Sequence, residues 1–293
     1  MQIESLKVFC DLVETESFTK AAQINRITQS AVSQQITAME RLFRAQLVER
    51  SKRLFRLTEE GKVLYQYSKQ IVHQFDSLNS KLQETKDIVS GNIRVATVYS
   101  IGLHDLPPYL KKYLQTFPTV NVHVEYRRAN LVYEDVLNNA VDLGLVAFPH
   151  KMDKIEIVPL HEYRMVLICH PQHPLASRKR IKIKDLAGQK LVSFESDMPT
   201  RLAIDRALRK EGVTVEHVME FDNVETVKQA VEIDAGVAIV PQSTIAAEVA
   251  SRMLTEVPFE GSDMSRPWAA IYKTKKVLSP AMKQLIETLK GQP

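Results

Sequence analysis

The stretch TQSAVSQQIT, residues 28–37, places two kinds of chemistry on opposite sides of one helix. On a helical wheel Gln29, Ser30, Ser33, Gln34 and Thr37 share one side, while Ala31, Val32, Ile36 and, just beyond, Met39 share the other. A solvated helix face normally mixes Lys and Glu. An uncharged face of short, directional donors and acceptors is suited instead to reading a polar partner. Upstream, Ile3, Leu6, Phe9 and Val13 recur at helical spacing, and a second helix is expected from Ser17, an N-cap residue, burying Phe18, Ala21 and Ala22. A brief turn through Asn25 and Arg26 leads to Thr28, which can cap the helix that follows. Two helices and a short turn, the second with an apolar inner and a polar outer face, describe a helix-turn-helix. In DNA-binding proteins that second helix enters the major groove, where Gln contacts adenine bidentately, Ser donates or accepts, and apolar atoms meet the thymine methyl.

Charge supports this reading. From Arg41 to Arg56 the basic residues Arg41, Arg44, Arg50, Lys52, Arg53 and Arg56 face the single acid Glu49. Positive charge beside a neutral reading face suits double-stranded DNA, because phosphate neutralisation supplies affinity and base contacts supply selectivity. The alternative, an ordinary solvated basic patch, loses weight beside the Gln and Ser face.

At 293 residues the chain exceeds the usual single-domain size, so two or three folding units are expected. With 44% hydrophobic and 25% charged residues it reads as globular, neither disordered nor a disulfide-stapled miniature. A net charge of +4 and a pI near 8.9 are only mildly basic. Cys10 and Cys169 each sit among apolar residues and read as small buried hydrophobes, a disulfide between them being the alternative. CxxC spacing is absent, so a reducing cytoplasm is expected. The N-terminus, MQIESLKVFCDLVE, carries acids where an export signal needs a basic and then an apolar segment. The charge-free run 235–247 is too short to span a bilayer and contains Pro241.

Residues 1–57, without Gly or Pro, read as helices ending in a short, basic, strand-like segment. Residues 58–90 contain one Gly, Gly61, and no Pro. There Leu64, Tyr67, Ile71, Phe75, Leu78 and Leu82 step by threes and fours, the pattern of a coiled-coil seam. A long helix with that seam is expected to pair with its copy in a second chain; packing within its own subunit is the alternative. After Gly91, short apolar strands are expected at 93–98, 122–126, 143–147, 165–169, 190–194 and 236–240, alternating with helical stretches such as PYLKKYLQTF, LAIDRALRKEG and VETVKQAVEI. That alternation indicates an α/β fold with largely parallel sheets.

The run FxxAAxxxxxTQSAVSQQIxxME, Phe18 to Glu40, followed by LVERSKRLFRLTEEGK, residues 47–62, closely resembles the N-terminal domain of LysR-type transcriptional regulators. Length, long helix and α/β remainder suit the family, so the resemblance covers essentially the whole chain. It implies a winged helix-turn-helix (1–58), a dimerising linker helix (59–90), and an effector domain (91–293) like periplasmic solute-binding proteins. Subdomain I would hold 91–161 and 266–293 and subdomain II 162–265, with two crossovers as hinge. Family members usually form homotetramers of two dimer pairs on promoters of dyad symmetry, recruiting RNA polymerase. Carried onto this chain, Gln29, Ser30, Ser33 and Gln34 face the groove, Thr28 and Thr37 flank them, and Arg50 and Arg53 supply basic contacts from the wing between Leu47 and Leu57. The family often has Arg where this chain has Gln34, which shifts the expected site preference.

Strand ends of an open α/β sheet bind ligands, and helix N-termini there favour anions. The resemblance puts the effector between the subdomains, so Ser100 and Ile101, Arg127 and Arg128, and Phe148 are expected to face it from one side, and Ser196, Thr200, Arg201 and Pro241 from the other. Their hydroxyls and guanidinium groups suggest a small anionic or polar metabolite, with no cofactor. Arg201 has an alternative, pairing with Glu195 or Asp205. The oxidant sensing known in the family needs a cysteine pair, and Cys169 stands alone in its subdomain. Metal ligation by His170 and His173 in HPQHP lacks further ligands nearby. Phosphate-loop, GxSxG, HExxH and GxGxxG signatures are absent, so an enzyme is not expected.

Overall fold

The structure, a computed structural model, describes residues 2–49, 55–84, 89–261 and 264–292, with the backbone alone at 76, 77 and 79–84. Arg50, Arg53 and the side chain of Leu82 therefore lie outside the described residues. The chain divides into two compact units, one holding the residues up to Gly91 with Asn138–Ala140, the other the remainder.

In the first unit α1 (Ile3–Thr15), α2 (Phe18–Asn25) and α3 (Gln29–Phe43) close on one core. Leu6, Phe9, Leu12, Ala21, Val32, Ile36 and Met39 fill it, and Ala21, fully buried, lets the helices approach closely. Ser17 caps α2 by accepting from Lys20 N, and Thr28 caps α3 by accepting from Ala31 N. Arg26 ends α2 at φ 54°, a left-handed conformation that turns the chain sharply toward Thr28. After α3 the chain makes a narrow antiparallel ladder, Val48 opposite Leu57, with Glu49 N donating to Arg56 O at 2.9 Å.

Helix α4 (Glu59–Glu84) follows directly. Its start leans on Leu47 so tightly that a Cβ on Gly61 would lie 2.1 Å from the Leu47 carbonyl oxygen, which explains the glycine. The apolar seam divides between two faces. Leu64, Tyr65 and Val72 pack into the unit's own core, Lys7 sits over the Phe75 ring, and Lys69 reaches Glu14 at 3.3 Å. Tyr67, Ile71 and Leu78 stay 59%, 46% and 51% exposed, so packing within the subunit accounts for only one flank.

The second unit carries β1 (Gly91–Thr97), α5 (Leu106–Thr116), β2 (Val120–Tyr126), α6 (Ala129–Leu137), β3 (Leu143–Ala147), β4 (Ile155–Cys169), β5 (Lys190–Phe194), α7 (Pro199–Lys210), β6 (Glu216–Phe221), α8 (Val224–Glu232), β7 (Ala238–Pro241), α9 (Ala246–Ala250), β8 (Thr255–Pro258), β9 (Ser265–Lys273) and α10 (Pro280–Lys290). One sheet has the order β2-β1-β3-β9-β4-β7 with β8 on β4, and β5 pairs with β6. The expectation of largely parallel sheets needs correction. Only β1–β3 and β5–β6 are parallel among the pairs whose registers are described, while β9 and β4 pair antiparallel with every neighbour. The reason is the return path. β4 runs for 15 residues, pairing first with β9 and then, from Met165, with β7 and β8, so it spans both halves of the unit. β9 comes back beside it to lie against β3.

Candidate functional sites

On α3, Gln29, Ser30, Ser33 and Gln34 are exposed and Thr37 is half-buried, while Val32, Ile36 and Met39 are buried beneath them. The hydroxyl of Thr28 is already engaged, accepting from Ala31 N at 3.2 Å and lying 2.9 Å from Ser30 Oγ. Gln29, Ser33 and Gln34 make no side-chain hydrogen bond within the described residues. The face thus offers two amides and a hydroxyl to a partner, with Thr28 better placed to hold the helix start than to read.

In the second unit a cavity of about 520 Å³ opens where β1, β2, β3, β5 and β6 end, the position at which α/β sheets bind ligands. Ser100, Arg127, Arg128, Phe148, Thr200 and Pro241, all expected from the sequence, line it. Phe148 follows β3 at φ 50°, an unusual backbone for an aromatic residue, held by its N–H donating to Pro267 O at 2.8 Å. Three expected residues do not line it. Ile101 is fully buried in a π-helical turn (Ile101–Asp105) and belongs to the core. Ser196 is exposed, turned outward by the tight bend in which Met198 N donates to Glu195 O. Arg201 tucks beneath α7, its Nε donating to both Asp205 oxygens at 2.9 and 3.0 Å and its Nη1 to Glu220 and Phe194 O at 2.8 Å. The alternative raised for it, pairing with Asp205, is the one the structure holds.

The cavity also takes Tyr99, Asn130, Tyr133, His150, Asp197, Arg206, Asp222, Asn223 and Arg266, which sequence reading missed. Asp197 lies next to Ser196, which the sequence did single out, but Arg266 arrives on β9 from far along the chain and no local signal marks it. Arg266 is 1% exposed, donates to Asp105 Oδ2 at 3.2 Å and to Ser100 Oγ, and ties the cavity floor to the π-helical turn. Burial pushes the Asp105 carboxyl up, against the lowering effect of that guanidinium.

Most of the guanidinium charge is already answered. Arg127 donates to Glu125 at 2.8 Å and lies 3.3 Å from Asp135. Arg128 pairs with Glu195, and that hydrogen bond holds its guanidinium above the ordinary arginine value. Helix α8 is capped by Asn223, which accepts from Thr226 N at 3.1 Å, but α7 begins at Pro199 after Met198, which supplies no side-chain acceptor. The first turn of α7 therefore presents uncapped N–H groups at a cavity wall.

His170 and His173 each use Nδ1 to accept a backbone N–H two residues on, as turn caps. Cys169 is fully buried, its thiol pushed up to about 11 by burial, so it carries little of the thiolate that oxidation requires. Among the described residues no helix is long and apolar enough to cross a membrane.

Residues 3–62 match the family model of the bacterial regulatory helix-turn-helix protein, lysR family, and residues 86–293 that of the LysR substrate binding domain. The HTH-type transcriptional regulator CysL of Bacillus subtilis is 29% identical over 93% of this chain and 91% of its own length. A full-length CbnR structure, complexed with its target DNA, superposes with a TM-score of 0.73 at 20% identity, covering 99% of each chain. The regulatory domain of CcmR from Synechocystis PCC6803, in complex with 2-PG, superposes with a TM-score of 0.62 at 24% identity, covering 68% of this chain and 95% of its own. With both models matched in order along nearly the whole length, this chain belongs to the LysR family of transcriptional regulators, with an N-terminal helix-turn-helix and a C-terminal effector-binding domain.

Proposed function

We propose that this LysR-type regulator reads promoter DNA through Gln29, Ser33 and Gln34 of α3, flanked by Thr28, Ser30 and Thr37, and answers to a small polar or anionic metabolite held in the 520 Å³ cavity. The observation that carries the reading is the exposed, uncharged and internally unbonded amide face of a helix whose other face is core. Arg50 and Arg53 contribute phosphate contacts from the segment between Leu47 and Leu57. The boundaries are those that the resemblance implies: residues 1–58 bind DNA, 59–90 link and dimerise, and 91–293 bind effector, split at 161/162 and 265/266.

The apolar flank of Tyr67, Ile71 and Leu78 is assigned to the same helix of a second copy, giving a homodimer and, by pairing of dimers, a tetramer that works in the cytoplasm and contacts RNA polymerase. The chain acts by binding and not by turnover. A metabolite whose hydroxyl or oxyanion meets Ser100, Thr200 and the arginine wall, and whose body packs on Phe148 and Pro241, favours one arrangement of the strands crossing the unit, and this population shift alters the geometry of bound DNA.

Selection from random duplexes by the full-length protein, followed by salt titration of the enriched site, tests this. An interrupted palindrome preferred over random duplex at physiological salt is expected; no enrichment, or equal loss for all duplexes as salt rises, refutes base reading. Sedimentation showing a monomer at micromolar concentration would remove the helix-pairing assignment.

A further inference from the structure

Arg128 lines the cavity just after the end of β2, yet its closest partner is a residue outside that lining: the carboxylate of Glu195, just after β5. Asp197 stands 3.8 Å away on the other guanidinium nitrogen, and Asp222 adds a third negative charge nearby. One cation thus faces three acids. Glu195 is anchored by its backbone, its N–H donating to Phe221 O at 2.9 Å, so its side chain can leave Arg128 without moving the strand end. Arg128 and Glu195 are 42% and 39% exposed, which leaves the pair within reach of a solute.

We propose that Glu195 sets ligand specificity by acting as a tethered competitor: its carboxylate holds Arg128, and a ligand gains that guanidinium only by bringing a carboxylate or phosphate oxyanion to replace it. The proposal rests on the reading of this cavity as the effector cleft. A neutral polar ligand that displaced Glu195 would leave Arg128 with a weaker acceptor and gain nothing. An oxyanion that entered without displacing it would face three carboxylates around one cation. Exchange of one anion for another keeps the local charge and offers the bidentate geometry that guanidinium favours. The same exchange breaks the link between the segments that follow β2 and β5, so occupancy and the Arg128–Glu195 contact exclude each other.

The test is calorimetric titration of the full-length protein with inorganic phosphate and, separately, with acetate, at fixed pH and ionic strength. Glu195→Gln should bind one or both about tenfold more tightly than the wild type, and which of the two gains more distinguishes a phosphate from a carboxylate ligand. Asp197→Asn removes the same charge but leaves Glu195 on Arg128, and should gain clearly less. Arg128→Ala added to Glu195→Gln should abolish the gain. Should Glu195→Gln unfold, Glu195→Ala vacates the guanidinium equally. Equal gains from Glu195→Gln and Asp197→Asn, or binding unchanged, weaker or undetectable in the Glu195 variants, overturns the proposal. If instead anion affinity is indifferent to Arg128→Ala and to Thr200→Val alike, the anion sits elsewhere and the cleft reading itself fails.

Discussion

Replacing Gly61 with Ala sets two physical effects against each other with opposite signs. Helix propensity alone predicts that Ala in α4 stabilises by about 1 kcal/mol. The tertiary contact predicts the reverse, because the new Cβ would lie 2.1 Å from the Leu47 carbonyl oxygen and 3.2 Å from Leu57 Cδ2, and real Cβ atoms essentially never come within 3.0 Å. Leu47 O is the acceptor for Thr58 N at 3.1 Å, so moving it also strains the closing bond of the short ladder. Overpacking costs about 1 to 3 kcal/mol and a weakened hydrogen bond about 1 more, against the propensity gain, leaving a net loss of roughly 1 to 3 kcal/mol. The single tryptophan, Trp268, belongs to the second unit, so in urea unfolding its fluorescence follows that unit alone, while helical circular dichroism follows both and shows the first unit as the transition that the fluorescence lacks. The dichroic transition of the first unit should move to lower urea while the Trp268 transition stays. A first unit that unfolds at higher urea in Gly61→Ala than in the wild type would refute the close contact.

Gln29→Ala should lose about 1 to 3 kcal/mol of discrimination at particular base pairs of the selected site and little on random duplex; equal losses on both would show that Gln29 holds rather than reads. Asp105→Asn leaves the Arg266 guanidinium, 1% exposed, without its counter-charge, so about 3 kcal/mol should be lost from the Trp268 transition, and the double variant Asp105→Leu with Arg266→Met should recover most of it. His217, 2.7 Å from Ser193 Oγ, is held below its ordinary value by burial and then by Arg201. A lowered base is protonated more readily in the unfolded chain, so its contribution is full above the unfolded value and is lost as pH falls toward the folded one; His217→Phe should flatten the decline in stability below about pH 6.5.

The first unit was almost entirely legible in the sequence, because its determinants are local. Ser17 and Thr28 are caps whose acceptors lie within one turn, the apolar rows of α1 and α3 follow the 3.6 period, and the uncharged face of TQSAVSQQIT follows from the same wheel. The strand cores 143–147 and 190–194 were equally plain, being short apolar runs buried along most of their length. The resemblance to LysR regulators added the order of the parts and the expectation of a cleft.

What only the tertiary structure decided depends on contacts between residues distant in sequence. The ladder of β4 and β9 joins segments about a hundred residues apart, and it turned an expected parallel sheet into a mixed one. The cavity floor at Arg266 exists because β9 returns beside β4. Arg128 and Arg201 look alike in the sequence, yet one faces the cavity and the other is folded beneath α7 onto Asp205 and Glu220. Local pattern specifies helices, caps and faces because those interactions close within a few residues; the destination of a guanidinium is settled by which carboxylates the folded chain brings to it.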